Sequence, residues 1–305
     1  MRAPMARLAA RALTTTTFQP FPAGVDGLTP AWLDFTLAAS WTVARDTKVL
    51  RFELPAPLTT LRALNAPAGV KIRAEVEGEV LDKSYSPISR PNVDAHVDLL
   101  VKSYTPQPGG GLGHYLCNLA VADSISIRLK AERNWGALGT PLRANRFEEI
   151  VLIGNGTGVA PLYQIANAVL NDPQERTRLR FISAHKSEAD YILGAQIEEW
   201  AAASPERFEA RVAYSDAGGR RIDADTLSSW LPPPAAPSPR DGGGPAEPPL
   251  AIVVCGTDGF LSDVAGPHVR VAVPGESKKR KLPGPIEGHL AALGYSERSC
   301  VVLKL

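Results

Sequence analysis

Residues 150–161 are Ile-Val-Leu-Ile-Gly-Asn-Gly-Thr-Gly-Val-Ala-Pro, and this stretch is the strongest indication of a fold class in the sequence. Residues 150–153 are all apolar, which is typical of a strand buried on both faces of a parallel sheet. A helical pattern follows over residues 162–171, and Pro161 suits its first turn because the missing N–H is not needed there. Glycines between a strand and a helix let backbone N–H groups approach a diphosphate. The stretch therefore favours nucleotide binding over a merely structural turn.

The rest of the C-terminal half alternates strand and helix patterns. Further strands are predicted at residues 180–184, 208–214 and 250–255. Further helices are predicted at residues 192–203 and 224–230. This alternation predicts a doubly wound α/β domain with a parallel sheet over residues 146–305, with its boundary near residues 143–147.

The preceding segment, residues 32–145, has a different texture. Short strand patterns occur at residues 41–44, 49–54, 70–76, 96–104 and 124–129. A single helix is predicted within this region, at residues 113–120. Several short strands separated by turn residues predict a small antiparallel β-barrel. The fold class is therefore α/β plus all-β, in two domains, as a length of 305 residues also favours.

Composition excludes several functional classes. The net charge is +1 at pH 7, which argues against a nucleic-acid-binding protein. Three cysteines and five histidines occur without metal-ligand spacing, so neither a disulfide framework nor a metal site is expected. No apolar run reaches the roughly 20 residues of a membrane span, so no transmembrane segment is expected.

The N-terminus differs from the rest of the chain. Residues 1–25 include Arg2, Arg7 and Arg11 and a run of four threonines, and they contain no acidic residue. This composition is typical of an organelle transit peptide. We expect mitochondrial import, with plastid import and a tail without a targeting role as the alternatives.

Two other segments are expected to lie outside both cores. Residues 232–249 hold eight of the 27 prolines and three consecutive glycines, which predicts a loop or disordered insert. Residues 270–285 form a second insert and contain five basic residues. This basic segment is expected to be either a solvated loop or a docking patch for an acidic partner.

Two more motifs contain residues suited to binding a charged, planar ligand. Residues 83–89 are Lys-Ser-Tyr-Ser-Pro-Ile-Ser and combine a cation, an aromatic ring and hydroxyl groups. Residues 255–260 are Cys-Gly-Thr-Asp-Gly-Phe and follow a predicted core strand, at the sheet edge where α/β proteins bind ligands. Taken singly, each motif is better explained by an ordinary turn.

Together, in this order, the three motifs resemble the ferredoxin–NADP reductase superfamily, and its cytochrome b5 reductase branch most of all. The family pattern Arg-x-Tyr-Thr/Ser-x-x-Ser is matched by Lys83, Tyr85, Ser86 and Ser89. The family turn Gly-Gly-Thr-Gly-Ile-Thr/Ala-Pro appears within residues 154–161, and the family turn Cys-Gly-Pro-x-x-Met/Phe is matched by Cys255, Gly256 and Phe260. The resemblance spans residues 35–303 and implies an FAD-binding barrel followed by an NAD(P)-binding domain.

The resemblance also implies roles for individual residues. FAD would be bound by residues of the barrel: Lys83, Tyr85, Ser86, Ser89, Lys102, Tyr104, Gly110, Gly111, Leu112 and Gly113. The nicotinamide nucleotide would be bound by residues of the second domain: Gly154, Gly156, Thr157, Gly158, Pro161, His185, Lys186, Cys255, Gly256 and Phe260. Ser86 is the expected hydrogen-bond partner of flavin N5, and Cys255 is expected beside the nicotinamide ring; these two are the candidate catalytic residues.

NADH is expected as the reductant, with NADPH as the alternative because His185 and Lys186 follow the second strand of the domain and would tolerate a 2′-phosphate. The implied activity is hydride transfer to FAD and then electron transfer to a haem protein. The acceptor would be a cytochrome b5-like protein or a component of haem or cytochrome c maturation.

The chain departs from the family pattern at four places, namely Lys83, Gly113, Leu129-Lys130 and Thr257. These departures motivate a second hypothesis, in which the fold serves as a structural or assembly subunit of a mitochondrial protein complex and the flavin site is degenerate.

Overall fold

The structure, a computed structural model, describes residues 32–56, 58, 69–90, 94–104, 111–129, 145–216, 222–234, 248–272 and 280–305. The predicted transit peptide at residues 1–25, most of the proline-rich insert and Gly110 lie outside these residues. Two sheets dominate the described part of the chain: an antiparallel sheet of six strands and a parallel sheet of five.

The six N-terminal strands form the predicted barrel. They are β1 Leu33–Ala44, β2 Thr47–Glu53, β3 Val70–Val76, β4 Glu79–Tyr85, β5 His96–Lys102 and β6 Ser124–Leu129. Their order is β4-β3-β6-β1-β2-β5, and every pair is antiparallel. The two outer strands meet where Pro87, just beyond β4, bridges Leu99 of β5, and Ile88 N donates to Asp98 O at 2.8 Å. This contact closes the sheet on itself.

Alternation along the strands places the barrel core. Val70, Ile72 and Ala74 of β3 are buried, whereas the intervening charged residues are less so. Helix α1, Gly111–Cys117, adds Leu112 and Leu116 to this core. The helix therefore begins two residues before the predicted Gly113 and ends three before residue 120, because the chain beyond Cys117 turns through short bonds such as Leu119 N to Leu116 O.

The C-terminal half is the doubly wound domain. Its parallel strands are β7 Glu149–Asn155, β8 Arg178–His185, β9 Phe208–Tyr214, β10 Leu250–Cys255 and β13 Val301–Lys304. Its helices are α2 Val159–Asn171, α3 Gly194–Ala203, α4 Ala224–Trp230, α5 Asp258–Ala265 and α6 Gly288–Ala292. The strand order is β13-β10-β7-β8-β9. Helices α2 and α3 pack on one face of the sheet, and α4, α5 and α6 pack on the other.

Three details of this domain differ from the sequence prediction. The strand at residues 250–255 is not the last of the core, because β13 pairs beside it at the sheet edge. Residues 270–285 are not simply a loop, since β11 His268–Val271 and β12 Arg280–Pro283 pair as an antiparallel hairpin. Helix α3 begins at Gly194 rather than at residue 192, because Leu193 adopts a left-handed conformation with φ of 58°.

The two domains share a packed interface. Val49 and Leu100 of the barrel belong to the same apolar cluster as α2 and β7. Arg45 N donates to Ala189 O at 2.7 Å, and the buried Gln164 side chain of α2 donates from Nε2 to Pro87 O. The interface therefore fixes the segment after β4 against the first helix of the second domain.

Candidate functional site

The strand order places the two glycine-rich turns of the second domain side by side. Chain order along the sheet reverses between β7 and β10, and this switch point is where doubly wound sheets bind ligands. A cavity of about 470 Å³ opens here. It is lined by Lys102, Asn155, Gly156, Ala184, His185, Lys186, Asp190, Ala213, Ser215, Ile222, Thr257, Gly259, Phe260, Asp263 and Val264. Five predicted site residues therefore line one cavity: Lys102, Gly156, His185, Lys186 and Phe260.

Glycines allow the turn after β7 and the turn after β10 to touch through their backbones. A Cβ on Gly158 would lie 2.5 Å from Cys255 O and 2.9 Å from Gly256 Cα. A Cβ on Gly256 would collide with the Asn155 carboxamide and lie 2.8 Å from the Phe260 ring. A Cβ on Gly154 would lie 2.7 Å from Leu162 Cδ1, the end of a flexible side chain. Backbone packing therefore requires a glycine at Gly158, whereas the contacts at Gly154 and Gly256 are with side chains.

Gly156 has a different role, because its φ of +51° is left-handed and no atom lies within 4 Å of a Cβ placed on it. The open side of this residue lines the cavity. Thr157 and Gly158 complete a single 3-10 turn, and Pro161 lies buried in the first turn of α2, as predicted. The backbone at Gly156 is thus free to approach a bound diphosphate.

His185, at the end of β8, is a buried polar residue in this cavity. Its side chain is 6% exposed, and neither ring nitrogen has a hydrogen-bond partner among the described residues. Burial lowers the pKa of His185 to about 4, and the nearby Lys102 ammonium also acts to lower it, although Asp190 opposes the shift. The lowered pKa favours a neutral imidazole at pH 7, which would supply no positive charge to a 2′-phosphate.

Lys102 and Asp190 join the two domains at the rim of the cavity. Lys102 Nζ lies 3.6 Å from Asp190 Oδ1, and Ser187 Oγ donates to Asp190 Oδ2 at 2.6 Å. Burial acts to raise the pKa of Asp190, but the Ser187 hydroxyl and the Lys102 ammonium outweigh burial and hold that pKa below its ordinary value. Asp190 is therefore an anion that holds the Lys102 side chain at the cavity.

Asp216 was not predicted from the sequence as a site residue. Its carboxylate follows β9, the strand that pairs with β8. Lys186 Nζ lies 3.8 Å from Asp216 Oδ2, and both side chains are exposed. A carboxylate near the end of β8 suits the 2′-hydroxyl of NADH and repels the 2′-phosphate of NADPH. A residue that contacts the ribose is usually sought directly after β8, whereas Asp216 follows β9. The parallel pairing of β8 with β9 brings Asp216 close to the end of β8.

The predicted flavin residues lie on the barrel side of the interface. Lys83 and Tyr85 project from the same face of β4 because they are two residues apart. Lys83 is exposed, whereas Tyr85 is half-buried, and burial raises the pKa of its phenol. Ser86 is only 8% exposed, and the next residue, Pro87, accepts the hydrogen bond from Gln164. The interface therefore holds Ser86, the predicted hydrogen-bond partner of flavin N5, against the nucleotide domain.

Other predicted flavin residues have structural contacts instead. Ser89 Oγ accepts from Asp98 N at 3.0 Å and so helps to close the barrel. Leu112 is completely buried in the barrel core, so its side chain is not available to a cofactor. A Cβ on Gly113 would lie 2.6 Å from Lys102 O, which shows that close packing of α1 on β5 requires a glycine here. Tyr104 is 64% exposed.

Comparison with known proteins gives the relationship directly. Residues 34–131 match the family model of the oxidoreductase FAD-binding domain, and residues 152–265 match that of the oxidoreductase NAD-binding domain. The chain belongs to the ferredoxin–NADP reductase superfamily. The first match covers the barrel and the second covers the sheet from β7 through α5, so both predicted domains of this superfamily are present.

Individual relatives are similar over most of the chain. NADH-cytochrome b5 reductase 2 of Aspergillus fumigatus is 27% identical over 274 residues, covering 87% of this chain and 76% of that protein. The protein of the same name from Neurospora crassa is 28% identical, and the match covers 87% of this chain and 71% of that protein. The solved structure of the cytochrome b5 reductase domain of Ulva prolifera nitrate reductase has a TM-score of 0.65 at 22% identity. The match covers 90% of this chain and 99% of that domain. The last likeness supports the fold.

The residues present fit both cofactors of this superfamily. The buried ring of His185 and the open backbone at Gly156 offer hydrogen-bonding groups to a nucleotide. On the barrel side, Lys83 offers a cation and Tyr85 a half-buried ring on one strand face. Within the described residues, no cluster of acidic, His and Cys side chains could hold a metal ion. No helix in that part of the chain has the length and apolar character needed to cross a membrane.

Proposed function

We propose that this protein is an FAD-containing NADH oxidoreductase that delivers electrons to a haem protein. The observation that supports this most strongly is the joining of the two glycine-rich turns at the β7–β10 switch point, next to the segment that ends at Ser86. The relatives named NADH-cytochrome b5 reductase support NADH as the donor and a haem protein as the acceptor.

When bound, FAD accepts a hydride from the nicotinamide and passes on single electrons. The protein residues bind and orient the two groups. Gly156 would contact the nucleotide diphosphate, and Asp216 would accept a hydrogen bond from the ribose. Lys102, which the resemblance assigns to FAD, lines the nucleotide cavity and would also contact the nucleotide diphosphate. Ser86 would hold flavin N5 from the barrel side, and Cys255 would lie beside the nicotinamide from the sheet side. No protein acid or base is required for the hydride step.

The departures at Lys83 and Gly113 do not favour a degenerate flavin site, and Lys130 of the Leu129-Lys130 departure lies outside the described residues. Gly113 is required by the contact of α1 with β5, and its backbone N–H is retained. Lys83 keeps a cation at the place where the family has arginine, although a lysine cannot form a bidentate pair with a phosphate. A structural subunit without cofactor is therefore the weaker hypothesis.

Absorbance spectroscopy of protein purified without residues 1–25 tests this function. We expect a yellow protein whose flavin band near 450 nm is bleached by NADH under anaerobic conditions, and faster by NADH than by NADPH. Addition of ferric cytochrome b5 should then restore the flavin band and reduce the haem. A folded, colourless protein that does not take up added FAD would contradict the proposal.

We further propose that the protein acts in mitochondria, on the strength of the arginine-rich, acid-free residues 1–25. Import into isolated mitochondria is the test. The full chain should become protected from added protease in a manner that depends on membrane potential, and a chain lacking residues 1–25 should not. A full-length variant with Arg2, Arg7 and Arg11 all changed to Gln separates the effect of positive charge on import from the effect of removing residues 1–25. Equal protection of all three chains would refute the targeting role.

A further inference from the structure

Asn155 and Thr257 connect the two turns of the nucleotide site through a side chain. Asn155 is the last residue of β7, and Thr257 is the residue that caps α5. Thr257 N donates to Asn155 Oδ1 at 3.1 Å, over a separation of 102 residues in the chain. Both residues line the cavity. A hydrogen bond therefore spans the switch point at the place where the nucleotide would lie.

The donor on Thr257 fixes the orientation of the Asn155 carboxamide. A backbone N–H can only donate, so the oxygen of the carboxamide must face it. The NH2 group then becomes the part of Asn155 that can act toward the cavity. Two N–H donors from a neutral side chain are well suited to a phosphate oxygen or to a carboxamide oxygen of a ligand.

Both residues depart from the family pattern. Thr257 is one of the four departures named above, and alignment of the seven-residue family turn with residues 155–161 adds Asn155. Thr257 stands at the proline of the Cys-Gly-Pro turn, and Asn155 stands at the first glycine of the Gly-Gly-Thr-Gly turn. A proline at position 257 would have no N–H to satisfy, and a glycine at position 155 would have no side chain to accept it. Thr257 has φ of −65°, a value that proline also adopts, so the backbone is compatible with either residue.

We propose that Asn155 is a nucleotide-positioning residue, held by the Thr257 N–H so that its NH2 group donates to the bound nicotinamide nucleotide. The pair replaces a proline-stiffened turn with a hydrogen-bonded one and adds a donor to the site. This inference rests on the proposed function, because it assigns a residue to the nucleotide that the function requires.

Four variants of the FAD-loaded protein separate the parts of this proposal. Asn155→Gly removes the whole side chain, and Asn155→Asp keeps the acceptor but replaces the NH2 donor with a charged oxygen. Thr257→Pro removes the N–H, and Thr257→Ala is its matched control. Alanine and proline both lack the hydroxyl that accepts from Phe260 N at 3.3 Å, so these two variants differ chiefly in the backbone N–H.

Calorimetric titration with NAD+ measures the role in binding without turnover. One hydrogen bond corresponds to a change of about 2- to 10-fold in Kd. Asn155→Gly should therefore weaken NAD+ binding by about that factor, and Asn155→Asp by more, because its charge repels the diphosphate. Thr257→Pro should weaken binding more than Thr257→Ala. The Asn155→Gly/Thr257→Pro double variant should bind no more weakly than Asn155→Gly alone, because the two residues act as a unit.

Amide hydrogen exchange of Thr257 measures the hydrogen bond itself, in the absence of nucleotide. Exchange should accelerate in Asn155→Gly and remain slow in Asn155→Asp. Unchanged NAD+ affinity in Asn155→Gly and Asn155→Asp, or an exchange rate at Thr257 that does not respond to Asn155→Gly, would overturn this inference alone. A wild-type protein that does not bind NAD+ would overturn both this inference and the proposed function.

Discussion

His185 illustrates how its surroundings set the charge of a single residue in the cavity. The ring is buried and has no hydrogen-bond partner among the described residues, and its pKa is lowered from 6.5 to about 4. A buried neutral imidazole can still donate through one nitrogen and accept through the other. It is therefore suited to a neutral part of a nucleotide, such as a ribose hydroxyl, and would offer a phosphate a hydrogen bond but no positive charge.

The lowered pKa of His185 predicts a pH dependence of stability. The folded state disfavours the charged ring, so the unfolded state binds a proton at His185 more readily. The free energy of unfolding is therefore unaffected by His185 above pH 6.5 and falls as the pH drops from 6.5 toward 4. The loss at pH 5 is about 2 kcal/mol relative to pH 7.5. Urea unfolding of His185→Asn should show a pH dependence flatter by that amount. Identical pH profiles for the two proteins would mean that His185 takes up a proton without cost.

Lys83 determines how tightly the flavin would be held from the barrel. An arginine forms two parallel hydrogen bonds with a phosphate, whereas the lysine ammonium acts as a single charge. Lys83→Arg should therefore lower the Kd for FAD by about 3- to 10-fold, as measured by fluorescence titration of the apoprotein. Lys71→Arg, on the neighbouring strand β3, is the matched control and should leave the Kd unchanged. An equal Kd for Lys83→Arg and wild type would place Lys83 away from the phosphates.

At the level of elements, the site is made by the ends of two adjacent parallel strands. The turn after β7 and the turn after β10 approach so closely that Gly158 and Gly256 touch through backbone atoms. The side chains of Asn155 and Thr257 then join the same two turns by a hydrogen bond. The cavity between them is thus preformed by backbone packing.

Gly158→Ala tests this packing. Its φ of −60° suits any residue, so the expected loss comes from the contact of the added Cβ with Cys255 O and not from backbone strain. Overpacking of this kind costs about 1–3 kcal/mol of unfolding free energy. Gly259→Ala is the matched control, because nothing lies within 4 Å of a Cβ there. If both variants unfold at the same urea concentration, the two turns are not in tight contact.

For the whole molecule, the active arrangement depends on how the barrel and the parallel sheet pack against each other. Polar contacts that cross the interface close to the site include Lys102 with Asp190, Gln164 with Pro87, and Arg45 N with Ala189 O. Val49 and Leu100 add apolar area from the barrel side. The flavin segment and the nucleotide cavity are therefore parts of one packed unit.

Asp190→Asn tests the ionic part of the interface. Asparagine keeps an acceptor for Ser187 but leaves the Lys102 ammonium without its anion. Because Asp190 is buried and Lys102 is partly exposed, we expect a loss of about 1–3 kcal/mol in unfolding free energy. Asp82→Asn, which removes an exposed carboxylate from the barrel surface, is the matched control and should cost less than about 1 kcal/mol. An Asp190→Asn loss no larger than that of Asp82→Asn would show that water replaces the ion pair at little cost.

Elements with a local pattern could be predicted from the amino-acid sequence. The apolar run at residues 150–153, the alternation at residues 70–76 and the glycine-rich turns were enough to predict a barrel, a parallel sheet and a nucleotide site, because strand periodicity and turn chemistry depend on near neighbours. The four-residue strands β11, β12 and β13 were missed because so short a run has no distinctive pattern.

Features that depend on pairing between distant segments became visible in the folded structure. It showed that Leu112 belongs to the core, that His185 is buried, and that Asp216 lies near Lys186. It also showed that Asn155 accepts a hydrogen bond from Thr257. Burial, charge and hydrogen-bond partners are properties of the space around a residue. That space is filled by strands and helices that lie far away along the chain.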